Sequence, residues 1–169
     1  MTVADLLTAE ATAALLGAAI GVLGGWGLGL ITDVFRARRD RRVAALLIAT
    51  ELVPIASALS TLRVTGLPMP PLPGIARPLW EAHGKALLYG GDLGRAGVLN
   101  RAYSTASEIA VFAQEPSGRD FTTGSDAKLV DDAFEEALAA LTEVLTLARL
   151  PNAEIENRIG AMRHRHANP

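Results

Sequence analysis

The chain has 169 residues, half of them hydrophobic, with 16 Lys and Arg against 18 Asp and Glu and a net charge of −2. A charge this close to zero gives no basis for nucleic acid as a partner, and the lack of cysteine removes disulfides and thiolate metal sites. The length allows one folded domain beside an apolar segment.

That apolar segment comes first. Residues 11–32 carry no charge and lie between Glu10 and Asp33. At about 1.5 Å per residue they cover roughly 33 Å as a helix, enough to cross a hydrocarbon core. A signal peptide has a basic start and a small-residue cleavage site; here the start is acidic (Asp5, Glu10) and the run ends in Leu30-Ile31-Thr32-Asp33. An uncleaved transmembrane helix is expected, preceded by a short external N-terminus, residues 1–10. Arg36, Arg38, Arg39, Arg41 and Arg42 follow the segment, and no Lys or Arg precedes it. The positive-inside rule then puts the N-terminus outside and the rest in the cytoplasm, with these arginines in contact with lipid headgroups. The bias of Arg over Lys, with abundant Ala, fits a GC-rich bacterial genome. The expected location is accordingly a bacterial inner (cell) membrane.

Within the span, Gly17, Gly21, Gly25 and Gly29 recur every fourth residue. Placing residues at 100° intervals gathers Ala13, Ala14, Gly17, Ala18, Gly21, Gly24, Gly25 and Gly29 on an arc of about 160°. Leu15, Leu16, Ile20, Val22, Leu23, Trp26 and Leu30 lie opposite, while Leu28 and Ile31 break the pattern. Small residues let backbones approach, so this arc is expected to pack against another helix. The four-residue stripe favours a right-handed crossing, and Ala14, Gly17, Gly21 and Gly24 favour a left-handed one. A second copy or a different membrane protein could supply the other helix.

Residues 33–63 read as a juxtamembrane helix continuing from the span, kinked at Pro54. A second span over 43–62 is the rival reading. Glu51 near its centre costs about 2.5–3.5 kcal/mol on insertion scales, against about 0.3–0.6 returned by each Leu, Ile or Val. Pro54 and the hydroxyls of Thr50, Ser57, Ser60 and Thr61 also weigh against insertion.

Residues 64–78 carry prolines at 68, 70, 71, 73 and 78 and read as an extended linker. Its PxxP spacing is better explained by a structural crossing than by groove recognition. Residues 79–150 read as a helical bundle. Its first helix, 79–89, begins with Leu79-Trp80 and stops at Gly90-Gly91; Trp80 should fold back over the bundle or the linker. Asp92 is placed to cap a helix over 93–114, whose Leu99, Ala102, Tyr103, Ala106, Ile109, Ala110 and Ala113 follow a buried-face spacing. A polar loop, 115–126, supplies Ser125 or Asp126 as the cap of a helix running to Leu150. In that helix Leu129, Val130, Phe134, Ala137, Leu138, Leu141, Val144, Leu145 and Ala148 give the best amphipathic pattern in the chain. Pro151 breaks it, and Asn152 can cap a last helix within 151–169, which ends in a basic tail. The fold class is therefore all-α: an N-terminal transmembrane helix followed by a four- to five-helix cytoplasmic bundle.

Chemistry-bearing residues are few. Glu81 and Lys85 suit an i,i+4 ion pair, and His83 has no identifiable catalytic partner. Asp131, Asp132, Glu135 and Glu136 form a solvated acidic face near a helix start, where the macrodipole favours them. His164 and His166 point apart on a helix and belong to the basic tail. Gly25-Trp26-Gly27-Leu28-Gly29 lies inside the span and lacks a phosphate-loop context. No catalytic residue, cofactor site or metal site is assigned.

The order of features resembles a loose group of uncharacterised bacterial single-span membrane proteins with a cytoplasmic helical bundle. The elements that carry the likeness are Arg38-Arg39 and Arg41-Arg42, Leu46-Leu47 to Glu51-Leu52, Pro68 to Pro73, Trp80, and Asn100 with Tyr103, with Pro54 as a departure. The resemblance implies a topology and no activity.

The function expected is that of a membrane-anchored scaffold or regulatory protein, not an enzyme, working through protein contacts and self-association. A membrane-active effector, such as a prophage-type immunity or lysis protein, is the alternative. A third is a small-molecule sensor with a pocket in the bundle near Trp80 and Tyr103.

Overall fold

The computed structural model describes residues 3–66, 77–88, 93–114 and 121–164, and among these every regular element is helical. The elements are α1 (Val3–Thr65), α2 (Pro78–Leu87), α3 (Leu93–Gln114), α4 (Gly124–Leu147) and α5 (Asn152–His164). The proline-rich stretch 67–76, the Gly90-Gly91 stop and the proposed Asp92 cap lie outside the described residues. So do residues 115–120 of the 115–126 loop and the end of the basic tail. The chain divides into two compact units, residues 1–39 and residues 40–169.

Among the described residues of the first unit the only regular element is the N-terminal part of α1. Its large apolar side chains face outward: Val22, Leu23, Trp26, Leu28 and Phe35 are each exposed by about two thirds. Thr32 satisfies its own hydroxyl by donating to the Leu28 carbonyl at 2.8 Å.

The second unit holds the hydrophobic core. Here α1 buries Ala45, Ile48, Leu52, Leu59 and Leu62, spaced so that they share one helix face. α1 runs through Pro54 without interruption. Pro54 is exposed, so the carbonyl one turn back that loses its N–H partner faces solvent. α3 buries Leu99, Ala102, Tyr103, Ala106, Ile109 and Ala110, and α4 buries Val130, Phe134, Ala137, Leu138, Leu141, Val144 and Leu145. These are the faces expected from the spacing, with Leu129 and Ala113 only partly covered. Ile155 and Ile159 of α5 complete the cluster.

Polar contacts fix the directions. Arg95 meets Glu143 (3.0 Å) and Thr105 meets Glu136 (2.7 Å), a reversed order that sets α3 antiparallel to α4. Arg163 of α5 reaches back to Glu135 (2.5 Å) at the middle of α4. Arg63 ties the end of α1 to Asp131 (2.6 Å) and stacks 5.6 Å above the Phe134 ring.

Helix ends differ from expectation at several points. α1 continues to Thr65 and closes at Gly66, in the left-handed region (φ 64°), with the Gly66 N–H on the Leu62 carbonyl. α2 takes Pro78 as its first residue, where a missing N–H costs nothing. α4 starts at Gly124 with Thr123 as N-cap in extended conformation, so neither Ser125 nor Asp126 caps it. It ends at Leu147, not Leu150, because Arg149 turns left-handed (φ 59°). The Arg149 N–H then bonds the Thr146 carbonyl and the Leu150 N–H bonds the Leu145 carbonyl, a Schellman closure. Pro151 rather than Asn152 stands at the head of α5: its carbonyl accepts from Glu154 and Ile155, and Asn152 is already helical.

Candidate functional site

The densest polar junction of the second unit is built on Glu51, which projects from the C-terminal part of α1. α2 begins Arg77-Pro78-Leu79-Trp80, and Arg77 makes no side-chain cap. Pro78 has no N–H to satisfy, and the next two donors both go to Glu51. Leu79 N–H donates to Oε1 at 3.4 Å and Trp80 N–H to Oε2 at 3.2 Å. A carboxylate from another helix thus does the work of an N-cap, aided by the positive end of the α2 dipole.

The same carboxylate accepts from α3: the Tyr103 hydroxyl donates to Oε2 at 2.6 Å. Burial of Tyr103, then its bond to the Glu51 carboxylate and that carboxylate's charge, push the phenol far above the ordinary tyrosine value; the nearby Arg77 charge acts in the opposite direction. The phenol is therefore a fixed donor at neutral pH. Trp80 stacks on Tyr103 with ring centroids 6.1 Å apart and planes 29° from parallel. Gly84, one turn on, leaves room for the Trp80 ring, which lies 3.1–3.2 Å from where a Cβ would stand.

Trp80 and Tyr103, expected near one another, are in contact, and Trp80 packs on the core. Two grooves lie elsewhere in the second unit. One, of about 560 Å³, is lined by Val53, Ser57, Leu141, Leu145, Arg158 and Met162, among others. The other, of about 260 Å³, runs between α4 and α5 beside Glu135 and Arg163. Glu81 turns back to Arg77 (3.7 Å) instead of forward to Lys85. The acidic residues of α4 disperse: Asp131 pairs with Arg63, Glu135 with Arg163, and Glu136 accepts from Thr105. Among the described residues no three His, Asp or Glu side chains gather as metal ligands.

In the first unit Gly17, Gly21, Gly24, Gly25 and Gly29 each have open space where a Cβ would stand. The side-chain surroundings of Ala14 lie outside the described residues. Arg36, Arg38 and Arg39 are exposed. Across the boundary, Arg42 is exposed and Arg41 half-buried, its Nε covered and without a hydrogen-bond partner among the described residues.

Comparison of the chain with known protein families, characterised proteins and solved structures finds no match.

Sequence reasoning treated Glu51 only as a charge too costly for lipid and missed its role as the hub. Two signals pointed to it. Glu51 is the only acid in the apolar run 43–62, and Arg77-Pro78 starts a helix without a Ser, Thr, Asp or Asn to cap it.

Proposed function

We propose that the chain is a single-pass membrane protein of scaffold or regulatory type, acting through protein contacts and associating with itself through the Gly/Ala face of its N-terminal helix. The observation that carries this reading is the exposed apolar surface of residues 22–35, whose bulky side chains find no cover among the described residues. The helical stretch Gly21–Thr65 is long and apolar enough to cross a membrane by length and composition, although half of its most apolar window is buried within the protein. Segment 43–62 spends its apolar face on the core and its one carboxylate on α2 and α3. That leaves residues 11–32 as the lipid-spanning part, with the second unit as a cytoplasmic helical bundle and Arg36, Arg38, Arg39 and Arg42 free for headgroups. Arg41 joins them only at its exposed end.

On this reading the open space above Gly17, Gly21, Gly24, Gly25 and Gly29 receives a partner helix, and a Leu there holds the backbones apart. Gly21→Leu and Gly25→Leu should each weaken self-association in a membrane two-hybrid assay. Full signal from both would rule out homotypic packing through this face. A reporter fused after Pro169 should report a cytoplasmic C-terminus, and an external one overturns the single-span topology.

A further inference from the structure

The groove of about 560 Å³ lies where three helices of the second unit border one another. α1 lines it from Val53 to Thr61, α4 with Leu141 and Leu145, and α5 with Arg158 and Met162. The α1 wall is roughly 12 Å long at 1.5 Å per residue. The volume falls within the range of about 300–1,000 Å³ usual for ligand pockets, which the other groove, of about 260 Å³, does not reach.

The hydroxyls of α1 divide by residue type. Thr50, Thr61 and Thr65 donate to the helix's own carbonyls, those of Leu47, Ser57 and Thr61, at 2.6, 3.0 and 2.8 Å. Ser57 and Ser60 both line the groove, and among the described residues neither hydroxyl has a hydrogen-bond partner. Ser60 is the decisive one, because it is only 3 % exposed. A hydroxyl so deep is costly when unpaired, and an alanine would fill the same place without that cost. Arg158 is the one charged residue of the lining among the described residues. Its partner Glu154, 2.6 Å away, holds one guanidinium nitrogen in an exposed i,i+4 pair, a weak kind of ion pair.

We propose that this groove binds a single-chain amphiphile with an anionic oxygen head, a medium-chain carboxylate being the simplest. The alkyl chain lies along Val53, Leu141, Leu145 and Met162. The carboxylate oxygens accept from the Ser57 and Ser60 hydroxyls and from the Arg158 guanidinium. Arg158 disfavours a cationic head, and a wholly apolar ligand would leave both serines unpaired. The site lies within the second unit and does not depend on self-association. The choice of a free carboxylate over a bilayer lipid does rest on the topology proposed above. Val53 stands about 16 Å along α1 from Arg42, and so beyond the headgroups that Arg42 is proposed to meet.

Binding of radiolabelled decanoate to the full chain in phosphatidylcholine nanodiscs tests this, with empty discs as the baseline. Saturable binding of one decanoate per chain is expected. Arg158→Gln and Ser60→Ala should each weaken it about tenfold, and Ser57→Trp, which fills the groove from an exposed position, should abolish it. Thermal melts followed by circular dichroism check that each variant is folded. Absence of saturable binding above empty discs overturns the proposal, as does binding that Ser60→Ala and Ser57→Trp both leave unchanged. Decanol that competes as well as decanoate overturns the anionic head. Phosphatidylglycerol added to the discs should leave decanoate binding to the chain in place. If it displaces decanoate in a manner that Ser57→Trp prevents, the occupant is a bilayer lipid and the free ligand is overturned; the reporter after Pro169 tests the topology separately.

Discussion

The Tyr103 hydroxyl donates a 2.6 Å hydrogen bond to Glu51 Oε2, and the same oxygen accepts the Trp80 N–H at 3.2 Å. One carboxylate therefore joins three helices: it leaves α1, caps α2 and anchors α3. Burying an acid is costly unless its lone pairs are used, and these are used by three donors. Glu51→Ala leaves the Tyr103 hydroxyl and two backbone N–H groups without that partner and should cost about 2–3 kcal/mol. Tyr103→Phe keeps the two backbone donors and should cost about 1–2 kcal/mol. Denaturant unfolding of the full chain in detergent measures both. The double variant should fall short of the sum by about 1–2 kcal/mol, and strict additivity would refute coupling through this bond.

Alkaline pH provides a separate test of the same bond. The folded phenol titrates far above the ordinary tyrosine value, for the reasons of burial and the Glu51 carboxylate. The sign follows from linkage: above about pH 10 the unfolded tyrosine releases its proton and the folded one keeps it. The contribution is complete below about pH 10 and is lost as pH rises beyond it, by up to about 1.4 kcal/mol per pH unit. Unfolding midpoints measured from pH 9 to 11.5 should fall more steeply for the wild type than for Tyr103→Phe. Tyr89 is present in both chains, so any contribution from it cancels in the comparison. Parallel curves would mean that Tyr103 ionises freely.

Much of this architecture was legible in the residues, and the exceptions lie at helix ends and at Glu51. The buried faces of α3 and α4 follow from spacing alone, because an amphipathic helix has one way to hide its apolar side. The bounds of α3 agree with the sequence reading at both ends, whereas α4 stops three residues early. Its end is decided by the strain that Arg149 accepts so that Leu150 can turn onto the core, which depends on tertiary contact. The caps differ as well. Ser125, Asp126 and Asn152 have the right chemistry locally, but α4 takes Thr123 as its N-cap residue and α5 begins after Pro151, whose carbonyl accepts from Glu154 and Ile155; only α2 is capped across space, by Glu51. The proximity of Trp80 and Tyr103 could be anticipated from two large rings on amphipathic helices. The carboxylate that organises them left only indirect signs, a lone acid in an apolar run and an uncapped helix start, because its partners lie 28 to 52 residues away.

Arg149 holds a position that favours glycine. A left-handed residue with a Cβ costs about 1–2 kcal/mol relative to the right-handed conformation, and glycine avoids most of that at some expense in unfolded-chain entropy. Arg149 is exposed, so its replacement removes little packing. Arg149→Gly should stabilise the chain by about 0.5–1 kcal/mol, while Arg149→Ala, which keeps the Cβ, should show no comparable gain. Thermal unfolding in detergent distinguishes the two. Equal stabilities would place the cost of this turn elsewhere.

Gly66 makes the opposite case. Its φ of 64° suits glycine, and a Cβ there would stand 2.8 Å from the Thr122 methyl group. Gly66→Ala therefore meets both backbone strain and a collision, and should destabilise by about 1–3 kcal/mol. The two contributions separate in one experiment. Thr122→Ser removes only the methyl group, so Gly66→Ala made in that background should lose just the backbone part, about 1 kcal/mol. If the penalty is the same in both backgrounds, the end of α1 does not press on residue 122, and the whole effect belongs to the left-handed turn.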